Sequence, residues 1–203
     1  MGLLRGSMSI QRFTSLGPIP QEVDLLAALA GNQFRPFQDG LEEERMGWCD
    51  WRNLLVVPPD PDWLMQERYA AFGLRIDTRR IPPATLKAHV QLKLDSLMKE
   101  KDLAFIGKEA RISLTDEVKV ELLKKEQPRP KVFDVIWNLK KGQVITNATS
   151  GKGQSALISL FIKSFGVELQ PESILVAGAR IVPLIHSESL LALDPFDLSM
   201  EIA

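Results

Sequence analysis

The sequence predicts an α+β protein in which antiparallel sheets carry flanking helices and a basic helical insertion. Three observations predict it. Val132 to Leu139 and Gln143 to Ala148 are β-branched and aromatic runs joined by Lys140-Lys141-Gly142, the pattern of a hairpin. Tyr69 to Asp77 alternates, with Ala70, Phe72, Leu74 and Ile76 on the face that meets a core. Between these strands, residues 83–130 follow helical spacing and are rich in Lys and Arg. The resulting order, β-α-β-β, helical insertion, β-β-α-β, gives antiparallel pairing rather than the alternating βαβ of a parallel sheet.

Ser7 to Phe13 reads as a short strand. Pro18-Ile19-Pro20 then opens a helix over Gln21 to Ala30, with Val23, Leu26, Ala27 and Ala30 at helical spacing and Gly31-Asn32 as the stop. Arg45 to Val57 contains an extended stretch that ends at Pro58-Pro59-Asp60-Pro61-Asp62, where successive prolines forbid ladder and helix alike. After Ile81-Pro82-Pro83 comes the longest helical pattern, apolar at Leu86, Val90, Leu94, Leu97 and Met98 and polar at Lys87, Gln91, Asp95 and Lys99. A break near Gly107 precedes a second helix. Ser113 and Thr115 with Asp116 and Glu117 look like its N-terminus, with Lys119, Lys124 and Lys125 toward the end that Pro128-Arg129-Pro130 closes. Beyond the hairpin, Thr149 or Ser150 caps a helix that runs to Phe165, with Leu157, Leu160 and Phe161 on one stripe and Gly166 at its C-terminal stop. Ile174 to Ala177 reads as another strand, and residues 181–203 show no clear period.

The 203 residues, 45% hydrophobic and 25% charged, have the composition of a folded protein. Cys49 is the single cysteine, so no intramolecular disulfide forms, and no run approaches the ~20 apolar residues of a membrane span. A cytoplasmic, non-membrane protein is expected. The net charge of −1 hides an uneven distribution. Residues 1–74 hold 6 Lys/Arg and 10 Asp/Glu, residues 75–163 hold 18 and 10, and residues 164–203 hold 1 and 6. Two readings of the basic middle are open: a local positive field that attracts polyanions, or ordinary solvated lysines on long helices.

Few residues suggest chemistry. Ser150-Gly151-Lys152-Gly153-Gln154-Ser155 is not a Walker A motif, because Thr146 and Gly153 stand where that motif needs Gly and Ser/Thr. Its role is capping, with Lys152 able to meet one backbone phosphate. Glu42-Glu43-Glu44 reads as a solvated loop, Asp134 stands alone in an apolar run, and Asp60 with Asp62 lacks a third ligand. Neither metal nor cofactor is expected. His89 and His186 are far from any nucleophile elbow, and Cys49 reads as a small buried hydrophobe. Trp48, Trp51, Trp63 and Trp137 can stack on bases, but in strand context they belong to the core.

Met46-Gly47-Trp48, the strand through Arg75 to Ile81-Pro82, Leu86-Lys87, Thr115-Asp116-Glu117-Val118 to Leu123, Trp137, and Ala148-Thr149-Ser150-Gly151-Lys152 through Ser164-Phe165-Gly166 form a collinear set. That set resembles the RdgC family over residues 8 to 180. The resemblance implies a bacterial recombination-associated protein, nucleoid-associated, that forms a ring-shaped homodimer, binds double-stranded DNA and secondarily single-stranded DNA with little sequence preference, and restrains a RecA-type recombinase. Residues 1–180 would then form the family's α+β unit with its insertion at 83–130, and 181–203 a tail left from a longer C-terminal region. A metal-dependent exonuclease, the family's older label, is the alternative, and a protein-interaction module without DNA binding is a third. The expected DNA contacts are Arg75, Arg79, Arg80, Lys108, Arg111, Lys124, Lys125, Arg129, Lys131, Lys140, Lys141 and Lys152. The loop Lys124 to Lys131 matches the family's finger without its aromatic, so phosphate contact is expected there. This loop, set against the hairpin with Lys152, is expected to form two halves of one surface.

Overall fold

Pairing in the computed structural model is antiparallel throughout the sheet, as the hairpin and the alternating strand predict. The structure describes residues 9–38, 42–66, 68–102 and 105–172. In chain order the elements are β1 (Gln11–Leu16), α1 (Glu22–Gly31), β2 (Glu44–Cys49), the single turn α2 (Pro61–Leu64), β3 (Met65–Gln66), β4 (Tyr69–Thr78), α3 (Pro83–Glu100), α4 (Lys108–Lys125), β5 (Arg129–Asn138), β6 (Gln143–Thr146), α5 (Gly151–Phe165) and β7 (Glu168–Pro171). The strands lie in the order β2-β4-β5-β6-β1-β7, with β3 beside β4.

β4 and β5 form the spine of the sheet, paired in one register from Tyr69 opposite Asn138 to Thr78 opposite Arg129. Their length is explained by alternation: Ala70, Phe72 and Leu74 are fully buried on one face, opposite Trp137, Val135 and Phe133. α1 and α5 contribute to the core on this face. Phe13, Trp48, Phe72, Trp137 and Phe161 are its largest fully buried side chains, with Phe161 stacked edge-on at 4.7 Å from Trp137. Trp48 also donates through Nε1 to the Ser164 hydroxyl at 2.8 Å, tying β2 to α5. Trp48 and Trp137 are thus core residues, whereas Trp51 is half-exposed in a loop.

Ser150 is the N-cap of α5, accepting from the Gly153 amide, and Gly166 ends the helix in the left-handed region at φ 65°. Leu157, Leu160 and Phe161 are buried as their spacing predicts. Lys140-Lys141-Gly142 makes the turn between β5 and β6, where both lysine amides donate to the Asn138 side chain and Gly142 takes φ 66°.

Three expectations are corrected. α1 buries Leu25 and Leu29 and leaves Val23 76% exposed, because a helix apolar on nearly every side carries no periodicity that selects a face. α4 begins at Lys108 with Gly107 as its cap, not near Ser113. Thr115 sits inside the helix with its hydroxyl donating back to the Arg111 carbonyl at 2.8 Å, which satisfies it without capping. The extended stretch after Arg45 stops at Cys49, since the Asp50 carboxylate accepts from the amides of Arg52, Asn53 and Asp60 and curls the chain into a loop. The strand that follows α5 in the described residues is Glu168–Pro171, paired with β1. The expected strand at Ile174 to Ala177 and the tail at 181–203 lie outside the described residues.

α3 and α4 stand apart from the main core. Leu94, Leu114, Val118 and Leu123 are buried where α3 and α4 lie against each other, outside the cluster that unites the sheet with α1 and α5. The pair departs from β4 after Thr78 and returns to β5 at Arg129, two residues in register, so both feet of the insertion meet the sheet at one end. No helix among the described residues is long and apolar enough to cross a membrane.

Candidate nucleic-acid interface

Several cations gather at the end of the sheet where the insertion departs. Glu44, Thr78 and Arg129 lie side by side on β2, β4 and β5. Arg129 and Lys131 lead β5 and are exposed, Arg80 follows β4, and Lys124 and Lys125 close α4 four residues before Arg129. Lys152 enters from the first turn of α5, because β6 runs back along β5 and delivers that helix to the same end. Lys131 and Lys152 share a hollow of about 100 Å³ with Thr78, Phe133, Ser150 and Glu44. The Lys131 ammonium lies 4.8 Å over the Phe133 ring. Six of the twelve expected contacts are therefore gathered by strand register and by the two feet of the insertion.

Of the other six, four lie elsewhere and two, Arg75 and Arg79, are held by internal bonds. Lys140 and Lys141 occupy the β5–β6 turn, eleven residues beyond Arg129, or roughly 35 Å at the ordinary strand rise. Lys152 thus belongs with the basic loop, not with the hairpin. The hairpin is joined instead by Arg68, outside the basic segment, whose carbonyl accepts from the Leu139 amide at 2.9 Å. No signal in the sequence pairs Arg68 with that turn, since the β3–β4 connection brings it there. Lys108 and Arg111 lie in the first turn of α4, about 25 Å from Lys125 at the helical rise.

Arg75 and Arg79 are committed internally. Arg75 donates to both oxygens of Asp77 at 2.8 and 2.7 Å and to the Leu54 carbonyl at 2.9 Å, with its guanidinium 4.0 Å over Phe34. The Asp77 carboxylate holds its pKa above the ordinary arginine value. Arg79, 5% exposed, donates to the Glu42 carbonyl at 2.8 Å and the Leu123 carbonyl at 3.1 Å, and lies 4.3 Å over Phe37. A guanidinium on a carbonyl of the last turn of α4 also answers the negative end of that helix. Arg79 is a latch between the sheet and the insertion.

Sequence reasoning left out Lys119 and treated Glu42-Glu43-Glu44 as a solvated loop. The three carboxylates are paired: Glu42 with Arg45 at 2.5 Å, Glu43 with Lys119 of α4 at 2.5 Å, and Glu44 with Lys152. The hydrogen bond from Lys119 holds the Glu43 carboxyl below the ordinary glutamate range. Asp50 and Asp77 are bound to Arg52 and Arg75. Among the described residues no group of three His, Cys, Asp or Glu side chains is placed to hold a metal ion.

Residues 8–175 match a family model whose description is "Putative exonuclease, RdgC". The chain belongs to the RdgC family. At the level of the family, membership supports a recombination-associated DNA-binding role. No curated protein matches this RdgC chain.

Proposed function

We propose that this RdgC-family chain binds double-stranded DNA with little sequence preference and does so without chemistry on it. One observation carries the reading: Arg80, Lys124, Lys125, Arg129, Lys131 and Lys152 converge on one end of the sheet. Side chains of this type neutralise phosphates, which occur at every step of any duplex. Lys140 and Lys141 form a separate second contact. Single-stranded DNA is the secondary ligand, a homodimer the working assembly, and occupation of DNA the means of restraining a RecA-type recombinase in the nucleoid.

The test is a salt titration of affinity for random-sequence duplex. Reversing charge at Lys124, Lys125, Arg129 and Lys131 is expected to weaken binding to all sequences alike and to flatten the slope of log K against log salt by about 0.9 per lost contact. Because the hairpin is remote, the effect of K140E/K141E adds to that of the loop rather than overlapping it. A parent chain that fails to retard duplex DNA at low salt refutes the reading. Light scattering with and without DNA tests the homodimer, which a strict monomer in both conditions overturns.

The family's description motivates one alternative, a metal-dependent exonuclease. End-labelled duplex incubated with Mg²⁺ or Mn²⁺ decides it. Progressive shortening that disappears when one carboxylate is replaced establishes a nuclease in place of a passive binder.

A further inference from the structure

Glu42, Glu43 and Glu44 run consecutively into β2, at the end of the sheet where the cations gather. Three adjacent carboxylates repel one another, and exposed ion pairs add only about 0–1 kcal/mol each to stability. Their placement is therefore poorly explained as a fold-stabilising device. What they do is electrostatic. Glu43 takes Lys119 on α4 and Glu44 takes Lys152 on α5, while Glu44 also stands in the strand row that ends in Arg129. Two strand spacings separate Glu44 from Arg129 in that row, about 10 Å, which is about a Debye length at 0.1 M salt. At that separation salt screens most of its effect on the arginine, so its action falls on the lysine it is bonded to.

The pairs are open to exchange. The Lys152 side chain is 61% exposed and that of Glu44 37% exposed, so a phosphate can reach the ammonium without disturbing the core. The hollow beside them already holds Lys131 and the capped first turn of α5.

We infer that Glu43 and Glu44 are an internal counter-charge for the DNA-binding end of the sheet: without DNA their carboxylates occupy Lys119 and Lys152, and backbone phosphates displace them on binding. This rests on the DNA-binding reading above. The device lowers affinity for every sequence equally and makes the chain release DNA more readily than its cations alone would allow.

The experiment measures affinity for random-sequence duplex between 0.05 and ~0.5 M salt, a range over which phosphate contacts change binding strongly. The proteins are the parent, E44Q, E43Q, K152Q, E44Q/K152Q and E168Q, the last removing an exposed charge on β7 at the far edge of the sheet. E44Q and E43Q are expected to bind more tightly, with a gain that grows by up to about eightfold from ~0.5 M down to 0.05 M salt as the slope steepens by about 0.9, because one lysine is released to a phosphate. E168Q stays with the parent, and the gain from E44Q disappears in the K152Q background. Equal gains in E44Q and E168Q, or a gain that survives K152Q, reduce the effect to net charge and overturn the inference while DNA binding stands. Failure of the parent and all variants to bind removes both.

Discussion

Replacing Arg79 by lysine keeps the positive charge and removes the fork, which separates a latch from a phosphate contact. In the structure the two arms of Arg79 bond carbonyls on two different elements, Glu42 before β2 and Leu123 in the last turn of α4, while the guanidinium plane lies on Phe37. A hydrogen bond from a charged donor contributes about 1.5–3 kcal/mol, and a carbonyl left buried and unpaired adds a penalty of the same order. Lysine can satisfy at most one of the two carbonyls from this position and cannot stack as a plane. Arg79→Lys is therefore expected to lose about 2–4 kcal/mol, and Arg79→Met, which loses both bonds and buries no charge, about 3–5 kcal/mol. Urea denaturation measures the loss. Hydrogen exchange locates it, with amides of the last turn of α4 opening first, since that turn loses its tie to the sheet. Under native conditions the folded fraction of Arg79→Lys should bind DNA with the parent's salt slope. An Arg79→Lys variant within about 0.5 kcal/mol of the parent would refute the latch, and an Arg79→Met variant whose salt slope flattens by about 0.9 would return Arg79 to the interface.

Gly47→Ala places a Cβ 2.4 Å from the Phe34 Cα and 2.5 Å from its amide nitrogen; a backbone clash of this kind should cost at least 1–3 kcal/mol, roughly, in urea denaturation, and a parent-like midpoint would show that the 33–34 segment moves aside. Burial pushes the Cys49 thiol up to about 12, so a thiol reagent at pH 8 should label it only after denaturation; rapid native labelling would contradict its burial. Burial alone raises the Asp50 carboxyl, but the amides of Arg52 and Asp60 and the Arg52 guanidinium outweigh it and hold the pKa below the ordinary aspartate value. Because the folded value lies below the unfolded one, Asp50 contributes stability that is complete above about pH 5 and lost as pH falls through the folded pKa. The stability gap between the parent and Asp50→Asn should narrow from pH 5 toward pH 2, and a gap independent of pH would assign the effect to loop geometry instead of charge.

Local chemistry determined much of this protein from the sequence alone. The strand Tyr69–Thr78 and its buried face follow from a period of two, the hairpin from Lys140-Lys141-Gly142 between β-branched runs, and the ends of α5 from Ser150 and Gly166. Each signal is complete within a few residues, because side-chain alternation, turn conformation and capping are properties of neighbours along the chain. Signals that need a distant partner were not legible. The short strand Glu168–Pro171 exists by pairing with β1, more than 150 residues earlier. Arg75, Arg79 and Arg80 read alike in sequence, yet the first two are committed to Asp77, Leu54, Glu42 and Leu123 while Arg80 stays exposed.

The candidate interface divides in the same way. Composition located the cations in the middle of the chain and could not say which of them meet. Strand register gathered Arg129, Lys131 and Lys152 at one end of the sheet and carried Lys140 and Lys141 to the other. The strength of the field at that end also depends on Glu44, which lies 108 residues from Lys152 along the chain and is bonded to it in the fold. Coulomb interactions act through space and fade over about 10 Å in salt solution, so a sequence specifies which charges a protein has, and only its tertiary structure decides which of them act together.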